Sequence, residues 1–394
     1  MRRILACAAA ILLFLGWTLA AEGEVLIPEI KVPAKDIPDN EAMKTVREMK
    51  TGWNLGNTFD AYDCFWLTDP LDYETGWCGV RTEERLIQAL QDAGFRTLRI
   101  PVSWHNHLDA EGRIDEKWLA RVKEVASWAY ERGMYVILNI HHDCDPAYYY
   151  PDSAHRESSE KYIRSIWTQL AREFADWDGR LIFESINEPR LTKSPAHEWV
   201  WDGSSAECRD AMAVIVALNQ VFVDTVRAQG GQNETRYLMV PAYDASPYYA
   251  CEESFTLPED RAENRIIVSV HAYTPYDFAL QQMKDGGTDR YSLNSTRQKS
   301  EIATFLNRLY DRFVSRGIPV VIGEFGAMEK NGNLQDRVDW ASWYVASARA
   351  RGISCCWWDN NIFQGEGERF GLFDRTGGAC VNPEILAAIM KYCE

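Results

Sequence analysis

Residues 181–190 read LIFESINEPR. Leu181, Ile182 and Phe183 form a short apolar run of the kind a strand covered on both faces carries. It ends in Glu184, Asn187 and Glu188 and is stopped by Pro189, which has no amide hydrogen to give a sheet. Seven other stretches repeat the apolar start and polar finish: TGWNLGN (51–57), FRTLRIP (95–101), MYVILNIHH (134–142), RYLMVPAY (236–243), IIVSVHAY (266–273), PVVIGEFG (319–326) and ISCCWWDN (353–360). Most gaps between them hold a helical stripe: Leu86, Ala89, Leu90 and Ala93, like Ile302, Phe305, Leu306 and Leu309, recur at i, i+3, i+4 and i+7. Gly94, Gly133, Gly317 and Gly352 stand where these helices should stop before the next strand. Strands alternating with helices through short returns pair in parallel, and eight such units predict an α/β fold, a single (β/α)8 TIM barrel. The fifth unit is weakest, since residues 244–265 read as loop.

Length and charge narrow the function. The first 20 residues, with Arg2 and Arg3 ahead of the apolar ILACAAAILLFLGW, have the layout of a signal peptide and predict secretion. The run is short for a membrane span. Residues 21–44, containing LIPEIKVPAKDIPDNE, read as a leader either strapped along a catalytic domain over 45–394 or partly disordered. The net charge is -16, and -18 once Arg2 and Arg3 depart with a segment that holds no acid. So acidic a chain repels polyanions, which argues against nucleic acid and membrane surfaces as partners, and a monomer is expected. Of ten cysteines, Cys7 lies in the signal; of the nine that remain at least one stays unpaired or bridges to another chain, and the two open readings are a Cys64–Cys78 loop staple and mostly buried free thiols. Asn233 and Asn294 begin glycosylation sequons.

All C-terminal strand ends of a parallel barrel share one face, where barrel enzymes keep their active sites. Asn54, Asn57, Arg99, His141, His142, Asn187, Glu188, His271, Tyr273, Glu324 and Trp358 gather there. Glu188 and Glu324, at the ends of the fourth and seventh strands, are opposed carboxylates of the kind glycosidic bond cleavage needs, one to protonate the leaving oxygen and the other to meet the cationic sugar carbon. Only unequal environments let two identical groups divide those roles. Arg99 and Tyr273 are the available groups to hold one of them charged, although Arg99 also suits a salt bridge inside the barrel and Tyr273 a strand cap. HHDCD (141–145) raises a metal reading, since His and Asp are good ligands. Adjacent strand residues point to opposite sides, so no metal or other cofactor is expected, and one imidazole meets sugar hydroxyls while the other is structural. Fifteen Trp fit a saccharide cleft. Trp358 is placed beneath the sugar at the cleavage point, with Trp53, Trp66, Trp77 and Trp104 available to extend the platform.

GWNLGNTFDA, LRIPVSW, VILNIHHD, ESINEPR, SVHAYTPYDF, VVIGEFG and WWDNN, in this order over about residues 48–390, resemble glycoside hydrolase family 5, and GWNLGNTFDA resembles its subfamily 4 of endoglucanases. The resemblance implies a secreted retaining endo-β-1,4-glucanase, with Glu188 as general acid/base, Glu324 as nucleophile and Asn187 on the sugar 2-hydroxyl. Arg99 would support Glu324, with His141, His271 and Tyr273 completing the floor. Asn57 and Asp60 would contact sugar from the first loop, and the peptide between Trp358 and Asp359 is a candidate for cis. The partner so implied is a β-glucan, with xyloglucan, mixed-linkage glucan, xylan or mannan as alternatives. A silent carbohydrate-binding barrel would have lost one glutamate, and both are present. A metal hydrolase built on the HHD run would be stopped by chelators.

Overall fold

The eight stretches are eight strands: β1 (Thr51–Leu55), β2 (Thr97–Ile100), β3 (Tyr135–Asn139), β4 (Leu181–Glu184), β5 (Leu238–Pro241), β6 (Ile266–His271), β7 (Val320–Phe325) and β8 (Ser354–Asp359). They pair in parallel in chain order, and β8 closes on β1 through partners such as Trp53 with Trp357. This is the (β/α)8 barrel expected. It is seen in a computed structural model that describes residues 24–394; the proposed signal peptide and Cys7 lie outside the described residues.

Ten helices are present among the described residues. They are α1 (Glu41–Met49), α2 (Tyr73–Gly76), α3 (Glu84–Asp92), α4 (Glu116–Glu131), α5 (Arg156–Glu173), α6 (Ala206–Ala228), α7 (Tyr276–Ala279), α8 (Thr296–Arg312), α9 (Leu334–Arg349) and α10 (Pro383–Tyr392). Their starts are set by local chemistry: Asp115, Ser205 and Ser295 accept from first-turn amides of α4, α6 and α8 that have no partner within the helix. Gly94, Gly133, Gly317 and Gly352 all have positive φ, as the stop positions require. At Gly352, φ is 71° and a Cβ would fall 2.9 Å from Ile37 Cδ1, so both conformation and space demand glycine. Between β5 and β6 the described chain makes 3-10 turns and no α-helix, in line with the loop reading.

One helix escaped the sequence reading. Asn40 accepts from Met43 N at 2.8 Å and starts α1, so ordered structure begins before the expected boundary at 45. Ala42, Val46 and Met49 plug the N-terminal mouth of the barrel against Ile137, Ile182, Met239, Ile267, Val321 and Cys356. Ahead of it the leader is strapped to the outside, with Lys35 N donating to Ala350 O at 2.7 Å and Ile30 N to Tyr392 Oη at 2.9 Å. The Cys64–Cys78 staple, one of the two readings, is absent. All nine described cysteines are free thiols; Cys64 lies against Tyr62 O, while Cys78 is turned to the carbonyls of Glu74 and Val80. Asn233 is fully buried and donates to Ala171 O at 2.8 Å, so that sequon is closed off, whereas Asn294 is exposed.

Candidate active site

Alternation along the strands carries the chemistry upward from the plug. Ile137 and Ile182 face the axis, so Asn139 and Glu184, two residues on, face it one layer higher. There they meet Asn54, Arg99 and Ser269 in a fully buried polar layer. Arg99 Nε donates to Glu184 Oε2 at 2.8 Å, Asn139 Nδ2 to the same oxygen at 3.1 Å, and Ser269 Oγ to Glu184 Oε1. The guanidinium then points up with its remaining donors. Nη1 reaches Asn54 Oδ1 at 2.9 Å and Glu324 Oε1 at 2.8 Å, and Nη2 reaches Asn187 Oδ1 at 2.7 Å.

Strict alternation from Val321 would turn Gly323 inward and Glu324 outward. A bulge reverses this: β6 pairs Val270 with Ile322 and then His271 with Glu324, so β7 carries one extra residue at Gly323. Glu324 therefore enters the bowl, while Phe325 turns out to stack on Tyr344 of α9, 4.9 Å between centroids. Glycine is needed at the extra position because a Cβ there would lie 3.0 Å from His271 Nε2 and 3.4 Å from Arg99 Nε.

The two glutamates meet across the bowl with His271 between them. His271 Nδ1 is 2.7 Å from Glu188 Oε1 and 3.6 Å from Glu324 Oε1, and oxygens of the two carboxylates lie within 4.8 Å of each other. Tyr273 donates its hydroxyl to Glu324 Oε2 at 2.9 Å, so Glu324 has a separate donor on each oxygen. Asn187, its oxygen fixed by Arg99, keeps its amide nitrogen for a ligand. His141 Nδ1 faces Asn139 Nδ2 at 3.1 Å and accepts from it, which puts the ring proton on Nε2, 4.0 Å from Glu324 Oε1.

His141, Asn187, Glu188, His271, Tyr273 and Glu324 line a cavity of about 990 Å³, with Arg99 and Asn139 buried beneath it. Trp358 lies on its wall, parallel to the His141 ring at 3° and 5.9 Å between centroids. His142 lines it as well: β3 ends at Asn139, so strand alternation no longer separates the two histidines, and their rings meet at 4.3 Å. The expectation that one of the pair would turn away is corrected on that ground. Asn57 also reaches the cavity. Asp60 does not line it: fully buried, its carboxylate accepts from the Asn57 amide at 3.0 Å and the Thr58 amide at 2.7 Å and so holds the first loop instead of a sugar. Of the four further tryptophans, Trp77 lines the cavity, Trp53 and Trp104 are buried with their indole N–H bonded to Asp359 and Asn139, and Trp66 stands exposed outside it. The peptide after Trp358 is not cis, since β8 keeps register with β1 as far as Asp359 opposite Leu55; the cis bond among the described residues is Thr274–Pro275.

Residues 62–364 match the family model described as Cellulase (glycosyl hydrolase family 5). The chain belongs to glycoside hydrolase family 5. A lichenase of that family from a Caldicellulosiruptor species, solved as a mutant with cellotetraose, is 54% identical, covers 94% of this chain and 100% of its own, and superposes with a TM-score of 0.92. A broad specificity endoglucanase of subfamily 4 from Ruminococcus champanellensis, with bound cellotriose, is 40% identical over 90% of this chain and 100% of that one, TM-score 0.82. Endoglucanase B of Ruminococcus albus is 39% identical over 383 residues, 95% of this chain and 87% of that protein. The protein is thus a glycoside hydrolase, an endoglucanase of the cellulase type.

The electrostatics of this family 5 site are uneven. Burial opposes the charge on Arg99, but Glu184 and Glu324 outweigh it and keep the guanidinium cationic. Burial also pushes the Glu188 carboxyl up, yet the His271 hydrogen bond and charge, with Arg190, draw it to about 2. His271 moves the other way: Glu324 and Glu188 overcome burial and Arg99 and raise it. Burial holds His141 well below the usual imidazole range and His142 at about 4, so both are neutral hydrogen-bonding groups at pH 7. Among the described residues two groups have metal-like spacing, Asp60 with His141 and His142, and Glu188 with His271 and Glu324. In the first, Asp60 is already occupied by backbone amides.

Sequence reasoning missed several residues. Glu184 is legible by period two from Ile182, yet in the sequence it looks like one more polar residue at a strand end. Tyr62, Trp199 and Tyr248 line the cavity from loops whose paths no pattern fixes, and Asp244 and Glu368 add carboxylates to its wall. Glu368 is pushed up by burial and then by Glu324 and Glu188.

Proposed function

We propose that the protein is a retaining endo-β-1,4-glucanase that cleaves internal glucosidic bonds of cellulose or related β-glucans by double displacement. The observation that carries this reading is the approach of the Glu188 and Glu324 oxygens to within 4.8 Å. Retaining glycosidases hold their carboxyl groups about 5–5.5 Å apart, whereas inverting ones need about 6.5–9.5 Å to seat a water. Glu324, oriented by Arg99 and Tyr273, attacks the anomeric carbon, and the bond to the leaving oxygen breaks as Glu188 delivers it a proton. The resulting glycosyl ester is hydrolysed by a water that gives its proton to Glu188. Asn187 meets the 2-hydroxyl, His141 donates from Nε2, and Trp358 carries the sugar face.

Likeness to a lichenase and to broad specificity endoglucanases supports mixed-linkage glucan beside cellulose as substrate. The charged and then apolar N-terminus supports export, with residues 1–20 as signal and a monomeric mature enzyme. The test is a panel of carboxymethyl cellulose, lichenan, xyloglucan, xylan and glucomannan, run with Glu188→Ala and Glu324→Ala. Glu324→Ala should abolish turnover and recover it with azide to give the inverted anomer. Azide rescue with the opposite stereochemistry, or wild-type activity in either variant, refutes the assignment.

A further inference from the structure

Lys330, in the segment that follows β7, buries a charge that the mechanism does not use. The residue is 2% exposed, and its ammonium donates to three backbone carbonyls: Asp277 O at 3.0 Å, Phe278 O at 2.7 Å and Thr288 O at 3.3 Å. None of these partners is a carboxylate. Lysine is almost never buried unless it is paired, so an ammonium held by peptide dipoles marks a place where a cation is needed despite the cost of burying it. Burial pushes the amine down to about 8, with Asp277 and Asp289 drawing it up and Arg369 pushing it further down, so at pH 7 it keeps all its N–H groups.

The three carbonyls belong to the two ends of one loop. Residues 277–288 leave through α7, make a 3-10 turn at Met283–Asp285 and return, and the Thr288 amide closes the base on Asp277 O at 2.8 Å. The return is tight: Gly286 has a φ of 94°, and a Cβ at Gly287 would fall 2.1 Å from Gln281 O. Leu280, Gln281, Gln282 and Asp285 of this loop line the cavity, as does Tyr276 just before it, whose side chain is exposed. Lys330 is itself fixed, its amide donating to Asn333 Oδ1 at 3.0 Å, and from the same segment Met328 N donates to Ala279 O at 3.0 Å. The ion pair on the outside of the base, Arg297 with Asp277 at 3.1 Å, has most of the arginine side chain in water and contributes little.

We propose that Lys330 is a positioning residue whose ammonium pins the 277–288 loop as one wall of the glucan cleft. This rests on the reading of the cavity as a β-glucan site. A pyranose asks of such a wall a flat ring for its apolar face and an amide for its hydroxyls, and Tyr276 and Gln282 supply both. Without the ammonium three carbonyls lose a buried donor, and the loop must open to water to satisfy them. Glu188, Glu324, His271 and Tyr273 all lie outside the loop, so its release weakens binding and spares the chemical step.

Lys330→Met keeps the stem and removes the ammonium, whereas Lys330→Arg keeps the charge and the donors. On lichenan, Lys330→Met is expected to raise KM about tenfold with kcat within about twofold of the wild type, and Lys330→Arg to recover most of that loss. Hydrogen exchange read by mass spectrometry should show the 277–288 peptide exchanging about tenfold faster in Lys330→Met, with the barrel strands unchanged. An unchanged KM, a kcat that falls as far as KM rises, or an unchanged exchange rate in the loop overturns the proposal. So does a Lys330→Met chain in which every peptide exchanges faster, because the ammonium then supports the whole barrel. Exchange needs no substrate, which separates the two readings: a wild type that turns over no glucan refutes the β-glucan site, while normal turnover with the wild-type KM in Lys330→Met refutes the role of Lys330 alone.

Discussion

Gly323 is where the fold and the chemistry constrain each other most tightly, and Gly323→Ala separates them. The residue has no positive φ, so the substitution brings no backbone strain; it brings one methyl group, 3.0 Å from His271 Nε2, 3.3 Å from its Cδ2 and 3.4 Å from Arg99 Nε. Those distances are a few tenths of an ångström too short, and neither neighbour can swing away. Arg99 is held by Glu184, Asn54, Asn187 and Glu324, and His271 by Glu188 at 2.7 Å. The displacement therefore passes into the hydrogen bond between His271 and the proposed proton donor. Overpacking of this size costs about 1–3 kcal/mol of stability. Misplacing a reacting group by 1 Å costs about a hundredfold in rate, so a shift of some tenths should lower kcat by about tenfold. KM should hold, since Trp358 and the platform residues are untouched. Steady-state kinetics on lichenan, paired with thermal melting, reads both effects. A variant with wild-type kcat and wild-type melting would show that the bulge has slack and that the His271 position does not limit turnover.

Tyr273→Phe removes one of the two donors to Glu324 and leaves the ring in place, so a charge-assisted bond of about 1.5–3 kcal/mol disappears and kcat/KM should fall about ten- to a hundredfold with little change in melting. His107, stacked on Trp118 at 3.7 Å with neither ring nitrogen paired among the described residues, is pushed down by burial to about 3. Its folded value lies below the unfolded one, so its stability contribution is complete above about 6.5 and is lost as pH falls toward 3. Urea unfolding at pH 7 and pH 4 should show that His107→Phe shrinks the difference between the two by about 3 kcal/mol. On the proposed mechanism EDTA leaves turnover intact, whereas added Zn²⁺ inhibits by bridging Glu188, His271 and Glu324, whose ligand atoms lie within 4.8 Å. Loss of activity on chelation would favour metal-assisted hydrolysis.

How much of this was legible in the sequence depends on whether period or path decides the position. The barrel follows from patterns repeated eight times, and Arg99, His271 and Trp358 from their places at strand ends. Helix α1 was hidden because a nine-residue segment behind a proline-rich leader looks like more leader. The bulge in β7 left no mark beyond a glycine, and without it alternation would have turned Glu324 out of the bowl. Asp60 misled for a related reason: its type and position suit a sugar contact, but an aspartate that short of its own turn finds two backbone amides first. Trp53 and Trp104 show the same limit, since composition counts rings without saying which way they face.

The two glutamates, chemically identical, are told apart by their partners. Glu324 is held by Arg99 and Tyr273, neither of which gives up its proton at neutral pH, so each of its oxygens takes a donor and, on the proposed mechanism, is oriented for attack. Glu188 is held by His271, whose proton can pass along the 2.7 Å hydrogen bond to the carboxylate. Foremost among the influences that raise His271 is the charge of Glu324 itself. On the proposed mechanism that charge is consumed as Glu324 forms its ester, so the proton affinity of the His271–Glu188 pair falls just as the leaving oxygen needs a proton. Once the proton has gone, Glu188 remains as the base for the second step, and hydrolysis of the ester restores the charge that recharges the pair. A neutral Gln at 324 should therefore lower the pH at which His271 titrates, which the imidazole proton resonances would report. An unchanged titration in Glu324→Gln would break the link between attack and proton delivery.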